Sequence, residues 1–375
     1  MPPIHVLIKP ASSACNMACR YCFYRDVAAK RDKAFAGPLS LDTMETIIVS
    51  ALAYADHFCS FSFQGGEPTL AGLSFYRDVI ALQQKHNHKN LRIQNNVQTN
   101  GYALTEEWAV FFHENNFLIG LSLDGPAALH NDNRIDTHEK ATFHQVMRTV
   151  RLFNKHNVAY NVLCVVTGRN ARFIQQIYSF YRKNGFRWLQ FIPCLEPLGA
   201  TRGESDYFLS TEQYGKFLIR LFDLWYAELK SGSYISIRYF DNWISILLGH
   251  CPEACSMTGR CAVQFVIEGD GGVYPCDFYV LDEWRLGVIG QQSFAEMLQS
   301  PVAAKFIERS LRVPPACRDC PYFALCRNGC RRERFVLANG EIGQNYFCQA
   351  FQSFFTARGD ELARAAVLYR QMLHR

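Results

Sequence analysis

The stretch CNMACRYCFY, residues 15–24, places three cysteines within eight residues near the start of a 375-residue chain. It follows IHVLIK, residues 4–9, an apolar run of the type that forms a buried β-strand. The cysteines have the spacing C-x3-C-x2-C. Three thiolates do not complete a tetrahedral zinc site, but they suit a metal centre that keeps one position open. We therefore expect a reactive metal site at the end of the first strand, with zinc and a distant fourth ligand as the alternative.

Strand-like and helix-like runs alternate beyond this point. Further strand-like runs occupy residues 58–63, 91–98, 117–124, 158–166 and 187–193, with amphipathic runs of helical spacing between them. Each leads into a polar segment, such as QGGEP at 64–68, QTNG at 98–101 and PCLEP at 193–197. Parallel α/β folds collect functional groups at the carboxyl ends of their strands, so six such loops would converge on one mouth. The pattern predicts an α/β fold with a partial (β/α)6, TIM-like barrel.

The pattern changes after a strong helical run at 210–229. Residues 251–348 are rich in cysteine, glycine and proline, and a helical tail follows from about residue 351. We expect a barrel domain at 1–235, a cysteine-rich domain at 236–348 and a C-terminal helix at 349–375. The basic run RRER, residues 331–334, indicates a solvated face.

Composition narrows the class of protein. A chain of this length can bury a full hydrophobic core without disulfides, so its fifteen cysteines indicate metal or redox chemistry in a reducing compartment. The N-terminus lacks the basic and apolar regions of a secretory signal, and no apolar run approaches the roughly 20 residues of a membrane span. Lys and Arg are dispersed, and the net charge is +5. We expect a cytoplasmic protein that binds neither membrane nor nucleic acid.

The motifs resemble those of a known superfamily. A C-x3-C-x2-C triad with an aromatic residue before its last cysteine, followed by GGEP at 65–68, resembles the radical S-adenosylmethionine (SAM) enzymes. A [4Fe–4S] cluster on Cys15, Cys19 and Cys22 would leave one iron open to a ligand. The two glycines would let backbone approach that ligand closely. Glu67 would accept hydrogen bonds from an ammonium group.

The resemblance extends over almost the whole chain. IKPASSACNMACRYCFY, FQGGEPTLAGL, GLSLDGP, FIPCLEPL and YPCDFYVLDEWRLG resemble segments of the anaerobic sulfatase-maturating enzymes. This implies a C-terminal SPASM domain with two auxiliary [4Fe–4S] clusters, and three clusters in all. By resemblance, the first auxiliary cluster takes Cys255, Cys261, Cys276 and Cys330, and the second takes Cys317, Cys320, Cys326 and Cys348. On spacing alone, a pair of zinc ribbons stays open, because four-thiolate zinc sites also use C-x2-C.

Four cysteines stand outside this count. Cys59 and Cys164 lie in strand-like runs and are expected to be buried apolar residues. Cys194 ends a strand-like run, and we expect it to pack in the same way. Cys251 lies four residues before Cys255 and competes with it as a ligand.

The same resemblance implies roles for other residues. SAM would be held by Tyr21, Gly66, Ser122, Arg134 and Leu195, each in a matched motif. Taken singly, Ser122 could cap a strand, Arg134 could form a surface ion pair, and Leu195 could belong to the core.

Asp277, in YPCDFY, would be the proton acceptor, although a carboxylate beside a cluster ligand could also serve only as a hydrogen-bond partner. Tyr24, Gln64 and Arg238 are weaker candidates for contact with a substrate peptide.

The implied activity is oxidation of a Cys or Ser, in a sulfatase segment of the type C/S-x-P-x-R, to Cα-formylglycine. A 5′-deoxyadenosyl radical from SAM would take hydrogen from Cβ, Asp277 would take the thiol or hydroxyl proton, and the auxiliary clusters would accept the second electron. A reducing electron donor such as flavodoxin or ferredoxin is implied, and we expect a monomer.

Two alternatives stay open. Another SPASM radical SAM peptide maturase, which forms thioether or carbon–carbon crosslinks or epimerises residues, would share the triad and the C-terminal cysteines. A non-catalytic iron–sulfur carrier or zinc-stabilised binding module is the second alternative. The six-loop mouth and the open-site triad argue against it.

Overall fold

The computed structural model describes residues 3–338 and 340–373. Its strands are β1 (Ile4–Ile8), β2 (Phe58–Phe63), β3 (Arg92–Thr99), β4 (Leu118–Ser122), β5 (Ala159–Val166), β6 (Trp188–Pro193), β7 (Ser236–Ile237), β8 (Val266–Ile267), β9 (Gly272–Tyr274), β10 (Gly287–Val288), β11 (Arg334–Val336) and β12 (Ile342–Asn345). Its helices are α1 (Phe23–Ala29), α2 (Leu41–Tyr54), α3 (Leu73–His86), α4 (Glu106–Glu114), α5 (Ala127–Asn133), α6 (Phe143–Lys155), α7 (Ile174–Lys183), α8 (Thr211–Lys230), α9 (Arg238–Leu247), α10 (Phe294–Leu298), α11 (Pro301–Leu311), α12 (Pro315–Arg318), α13 (Phe323–Cys326) and α14 (Cys348–Leu373). The six strand-like runs of the sequence form β1 to β6 to within two residues.

The chain forms two compact units that alternate along the sequence. The first comprises Met1–Leu123, Asn131–Tyr160 and Ala262–Phe306. The second comprises Asp124–His130, Asn161–Cys261 and Ile307–Arg375. The boundaries expected near residues 235 and 348 stay a prediction.

Parallel strands form the core of the first unit. β1, β2, β3 and β4 pair in order, and Ile8, Phe63, Val97 and Ile119 lie opposite one another across the four strands. All four side chains are buried, so they form one apolar row across this sheet. The carboxyl ends of the strands therefore reach the same edge of the sheet, where the loops that carry the predicted site residues begin.

Three short strands that we did not predict extend this sheet beyond β1. β8 pairs with β1 in parallel, with Ile267 opposite Ile8, and β9 and β10 follow in antiparallel order. The turn between β8 and β9 requires a positive φ of 77° at Gly271, a conformation that glycine adopts at little cost. This addition brings Glu268 and Asp277 to the β1 side of the first unit.

The second unit combines parallel strands with a long helical pair. β6 pairs in parallel with β5 and β7. α8 begins with a capping box between Ser210 and Gln213. α14 packs along α8, and Arg358 forms two contacts of 2.6 and 3.1 Å with Asp223. Among the described helices, none is both long enough and apolar enough to cross a bilayer.

Candidate active site and cluster sites

The loop after β1 carries the cysteine triad and is fixed from two sides. On one side, the amides of Gly66 and Glu67 donate to Ser12 O and Ala14 O at 2.9 and 2.8 Å. On the other, the amides of Ala18 and Arg20 donate to backbone carbonyls of residues 135 and 133 at 2.8 and 3.0 Å. The triad loop thus lies between the GGEP motif and the segment that contains Arg134.

The three thiols of this loop lie within electrostatic range of one another. Cys15 Sγ accepts a hydrogen bond from the Met17 amide at 3.4 Å. Burial raises the pKa of the Cys15 thiol to about 12, and the negative charges of Glu67, Cys19 and Cys22 act in the same direction. Three mutually repelling thiolates are stable together only when a cationic centre binds them, so the residues present fit an iron–sulfur cluster.

Gly66 lies against the triad loop with no room for a side chain. A Cβ at this position would lie 2.0 Å from Ala14 O. Gly65 has a φ of 116°, in the region that favours glycine. Both glycines are therefore required by the backbone itself, beside the site where SAM is expected.

Glu67 is a buried carboxylate that is hydrogen-bonded within the protein. It is 1% exposed, and its carboxylate accepts hydrogen bonds from the hydroxyls of Thr69 and Thr99 and the amide of Asn100, at 2.6, 2.8 and 2.8 Å. With these protein donors in place, Glu67 ties the GGEP loop to the end of β3. The expected contact of Glu67 with an ammonium group stays a prediction.

The other residues expected to contact SAM fall in both units. Tyr21 and Arg134 are buried in the first unit, and the guanidinium of Arg134 lies 5.4 Å from the centre of the Tyr21 ring. Arg134 is therefore not a surface ion-pair residue. Ser122, at the end of β4, accepts a hydrogen bond from Gln98 Nε2 at 3.2 Å. Leu195 belongs to the second unit and is half-buried.

Asp277 is a buried carboxylate beside the triad loop. Its Oδ2 accepts a hydrogen bond of 2.6 Å from the hydroxyl of Tyr24, two residues after Cys22. The same hydroxyl lies 3.2 Å from Gln64 Oε1. Burial raises the pKa of Asp277, while the charge of Lys9 and the Tyr24 hydrogen bond oppose that rise. A carboxylate with a raised pKa, placed near a reactive centre, is suited to accept a proton.

The second oxygen of Asp277 is open to a further donor. Lys9 Nζ lies 3.4 Å from Oδ1 as an ionic neighbour. Among the described residues, no group donates a hydrogen bond to this buried oxygen in bonding geometry. Lys9 therefore balances the charge on this oxygen, and the role of Asp277 as a proton acceptor stays a prediction.

A buried charge network that we did not predict surrounds Asp277. Lys9 Nζ contacts Glu268 Oε1 at 3.4 Å, Arg31 reaches the same oxygen at 2.9 Å, and Ser12 Oγ donates to Glu268 Oε2 at 2.8 Å. Two cations thus balance the carboxylates of Glu268 and Asp277. The only sequence signal was a lysine directly at the end of an apolar strand.

The four cysteines expected to hold the second auxiliary cluster surround one cavity in the second unit. It is lined by Cys317, Cys320, Cys326 and Cys348, together with Tyr322, Phe323 and Phe351. Burial raises the pKa of Cys326 to about 12, and the charges of the other three thiols add to this rise. Four thiols and aromatic walls around one cavity fit a [4Fe–4S] cluster.

The cysteines expected for the first auxiliary cluster are divided between the units. Cys255, Cys261 and Cys330 belong to the second unit, and Cys276 to the first. In the described residues, no group of three or more His, Cys, Asp or Glu side chains is arranged to hold a single metal ion. Cluster thiolates instead bind separate irons. This ligand set stays a prediction.

The cysteines outside the ligand sets have the expected burial where we predicted it. Cys59, Cys164 and Cys194 are 0%, 2% and 6% exposed and pack in the interior. Cys251 and Cys255 are both exposed. Arg238, a candidate for peptide contact, donates to Glu253 Oε1 at 3.0 Å near the surface.

The expectation that RRER forms a solvated face is wrong. Arg331, Arg332, Glu333 and Arg334 are each at most 8% exposed. Arg332 donates to Glu196 O at 2.6 Å, and Arg334 donates to four backbone carbonyls. The run is buried because backbone carbonyls accept hydrogen bonds from its guanidinium groups, which a count of charged residues does not reveal.

Comparison with known proteins defines the class. Residues 10–181 match the Radical SAM superfamily, and residues 255–321 match SPASM, an iron–sulfur cluster-binding domain. The fold is therefore that of a radical SAM enzyme with an additional cluster-binding domain. The expected cofactors, SAM and more than one [4Fe–4S] cluster, follow from this class.

Individual relatives define the family. A cysteine-type anaerobic sulfatase-maturating enzyme of Clostridium novyi is 44% identical over 99% of this chain and 100% of its own length. A serine-type enzyme of Bacteroides thetaiotaomicron is 33% identical over 94% of this chain and 89% of its own. The solved structure "Native anSMEcpe with bound AdoMet and Kp18Cys peptide" is 45% identical, with a TM-score of 0.94 over 97% of this chain and 99% of that chain. The chain belongs to the anaerobic sulfatase-maturating enzymes.

Family membership confirms several expectations. The partial TIM-like α/β barrel with a SPASM domain is confirmed, as is a SAM-dependent oxidoreductase activity. The reaction is the conversion of a sulfatase Cys or Ser to Cα-formylglycine.

Proposed function

We propose that this enzyme acts on cysteine rather than serine, with Asp277 as the catalytic base. The cysteine-type relatives share 44–46% identity with the chain, and the serine-type relative shares 33%. The proposed substrate is a sulfatase segment of the type C-x-P-x-R.

The surroundings of Asp277 support its assignment as the catalytic base. The carboxylate is buried, its pKa is raised by burial, and its Oδ1 has the Lys9 ammonium 3.4 Å away as an ionic neighbour. Tyr24 holds Oδ2 at 2.6 Å and is two residues from Cys22. The base would thereby be fixed beside the cluster loop with one oxygen facing the substrate thiol.

The remaining residues would bind and orient the reactants. Cys15, Cys19 and Cys22 would hold the cluster that binds SAM, and Tyr21, Gly66, Ser122, Arg134 and Leu195 would contact SAM. When bound, SAM and this cluster would supply a radical that removes one hydrogen atom from the substrate Cβ. The auxiliary clusters would supply an acceptor for the second electron.

The substrate's atoms balance with one base. The cysteine loses a hydrogen atom from Cβ, a proton from sulfur and one electron, and becomes a thioaldehyde. Asp277 Oδ1 would accept the proton, while Tyr24 and Gln64 would orient the peptide. Water then replaces the sulfur, which leaves as hydrogen sulfide.

The auxiliary ligand sets are Cys255, Cys261, Cys276 and Cys330, and Cys317, Cys320, Cys326 and Cys348. We further infer a domain division near residues 235 and 348, a monomeric protein in the cytoplasm, and a reducing partner such as flavodoxin or ferredoxin. Fifteen cysteines without a disulfide among those described support a reducing compartment.

Mass spectrometry tests this assignment. The protein, reconstituted with iron and sulfide without oxygen, is reduced and given SAM with matched C-x-P-x-R and S-x-P-x-R peptides. We expect the Cys peptide to lose roughly 18 mass units faster than the Ser peptide loses roughly 2, with one 5′-deoxyadenosine per event. Faster conversion of the Ser peptide would overturn the cysteine-type assignment. SAM cleavage with both peptides unchanged would exclude this sulfatase segment as the substrate.

The base is tested in the same assay. Asp277→Asn should lower formylglycine formation about 10²- to 10⁴-fold, the usual contribution of a positioned base. Asp360→Asn, an exposed position on α14, is the matched control. Equal rates for Asp277→Asn and the control would remove Asp277 from the mechanism.

A further inference from the structure

A buried arginine lies among the cysteines of the second unit. Arg334 is 4% exposed, and its guanidinium donates to four backbone carbonyls. Nε reaches Asn328 O at 3.0 Å, Nη1 reaches Ser310 O at 2.7 Å, and Nη2 reaches Gly329 O and Gly259 O at 2.9 and 3.3 Å. The hydrogen bonds therefore use all three guanidinium nitrogens.

Three of these carbonyls, those of Gly259, Asn328 and Gly329, belong to loops that carry proposed ligands, and the fourth, that of Ser310, lies in α11. Gly259 lies between Cys255 and Cys261, and Gly329 directly precedes Cys330. Ser310 also accepts the amide hydrogen of Cys261, on its Oγ, at 2.8 Å. One side chain thus links the loops around the three cysteines that the second unit would give to the first auxiliary cluster.

The turn that Arg334 holds leads from one ligand set to the other. Arg327, Asn328 and Gly329, between Cys326 and Cys330, have φ values of 47°, 64° and 60°. Consecutive left-handed residues are costly for anything but glycine, and such backbone persists only where its surroundings fix it. Arg334 binds two of the three carbonyls in this turn, and the side chain of Asn328 donates to Gly343 O and accepts the Asn345 amide, at 3.1 and 2.8 Å.

The charge of Arg334 also reaches thiols of both sets. Thiolates at Cys261, Cys330, Cys317 and Cys326 favour its charged form. The guanidinium therefore lies in the common field of two anionic centres.

The neighbouring charges leave an excess of positive charge here. RRER contributes three buried arginines and one buried carboxylate, that of Glu333. Glu333 accepts a hydrogen bond from Asn345 Nδ2 at 3.0 Å, and burial raises its pKa. Burying unbalanced cations is unfavourable unless anions compensate them, and thiolate-ligated clusters are such anions.

We propose that Arg334 is a shared positioning residue that raises the reduction potentials of both auxiliary clusters. The inference rests on the ligand sets proposed above. Each cluster becomes more negative by one charge when it accepts an electron, and a buried cation stabilises that state. Potentials raised in this way would favour acceptance of the electron released by the substrate.

The test is a redox titration followed by electron paramagnetic resonance. Cys15→Ala, Cys19→Ala and Cys22→Ala are combined so that only the auxiliary clusters contribute, and iron and sulfide are counted first. In this background, Arg334→Gln removes the charge. Arg334→Lys keeps the positive charge but lacks the planar guanidinium group that donates to several carbonyls at once. Arg318→Gln is the matched control, because Arg318 is exposed beside Cys317 and its charge is screened by solvent.

We expect Arg334→Gln to lower the reduced-to-oxidised ratio of both clusters at least tenfold at fixed potential, which is about 59 mV for a one-electron couple. Arg334→Lys and Arg318→Gln should change it less than threefold. Unchanged potentials in Arg334→Gln, or an equal shift in Arg318→Gln, would overturn the proposal. If Arg334→Gln fails to assemble its clusters, the test depends on Arg334→Lys. Reduction potentials equal to those of the background protein would support the role of the positive charge, and lowered potentials would contradict it. A background protein without two clusters' worth of iron would instead refute the ligand sets.

Discussion

The hydroxyl of Tyr24 donates a hydrogen bond of 2.6 Å to Asp277 Oδ2, across 253 residues of sequence. It joins the end of the triad loop to the residue after Cys276, so the site that would bind SAM and the proposed base are directly connected. Lys9 lies under the same pair, with its Nζ 3.4 Å from Oδ1 and 4.9 Å from the centre of the Tyr24 ring. The protonation of Asp277 is therefore controlled by two side chains that can be altered separately.

Tyr24→Phe should move the acidic limb of the pH–rate profile to higher pH. The Tyr24 hydrogen bond lowers the pKa of Asp277, so its loss leaves the carboxyl protonated over a wider range. Hydrogen bonds to charged groups contribute about 1.5–3 kcal/mol, which predicts a shift of about one to two pH units and about a 10- to 100-fold loss of rate on the acidic side. The rate of formylglycine formation between pH 6 and 9 measures it. Tyr54→Phe, on α2, is the control, and a profile unchanged from that of Tyr54→Phe would exclude Tyr24 from control of the base.

Lys9→Met should destabilise the fold, and more so at high pH. Breaking a buried ion pair costs about 3–5 kcal/mol, because the remaining charge is left without its partner. Burial raises the folded-state pKa of Asp277, and loss of the Lys9 charge raises it further. Below that raised pKa the Asp277 carboxyl of the folded state is protonated, and the unpaired charge is removed. The loss in free energy of unfolding caused by Lys9→Met should therefore shrink as pH falls and grow as pH rises.

Urea unfolding of the iron-free protein at pH 6 and pH 8.5 measures this difference. The control is Lys30→Met, whose ion pair with Asp26 at 3.0 Å is partly exposed. A deficit that is equal at both pH values would show that Lys9 does not act through the protonation of Asp277.

The strands of the barrel could be predicted from sequence because each carries its own signal. β1 to β6 are runs of five to eight residues of strand-forming type, separated by amphipathic helices. β8, β9 and β10 are two to three residues long, too short for any periodicity, and pairing with β1 alone defines β8 as part of this sheet. The local sequence pattern therefore predicted the strands that carry their own hydrophobic signal. It missed the short strands, which are defined only by pairing with a neighbouring strand.

The candidate site also has residues that local motifs predict and residues that they do not. The triad spacing and the GGEP motif predict a cluster loop from adjacent residues. The Lys9–Glu268–Arg31 network joins residues far apart in sequence, so no local motif contains it. Arg334 was misjudged because charged residues are rarely buried without compensation, and its carbonyl partners become visible only in the fold.

Cys317→Ala should remove one cluster's worth of iron, about four atoms per chain. Cys317 is 6% exposed and lines the cavity shared with Cys320, Cys326 and Cys348, so no nearby water replaces its thiolate. Cys251→Ala should leave the iron content unchanged, because Cys251 is exposed and lies outside both ligand sets. Iron and acid-labile sulfide counts after anaerobic reconstitution measure both. Iron loss in Cys251→Ala together with full iron in Cys255→Ala would move the ligand assignment from Cys255 to Cys251.

Gly66→Ala should impair SAM binding while the rest of the fold stays intact. The new Cβ would lie 2.0 Å from Ala14 O, a backbone atom of the triad loop, so the loop that carries Cys15 must move. Displacement of a reactive centre by about 1 Å typically costs about 10²-fold in rate, and we expect a loss of that order in SAM cleavage. Gly359→Ala is the matched control: it lies within α14 with nothing within 4 Å of its added Cβ, and it should stabilise the protein by about 0.5–1 kcal/mol. Equilibrium SAM binding to the reconstituted, unreduced enzyme separates a loss of SAM affinity from a loss of SAM cleavage, because it requires no turnover. Wild-type affinity in Gly66→Ala with all clusters present would mean that SAM does not lie against this glycine, and the binding site would have to be sought away from the GGEP loop.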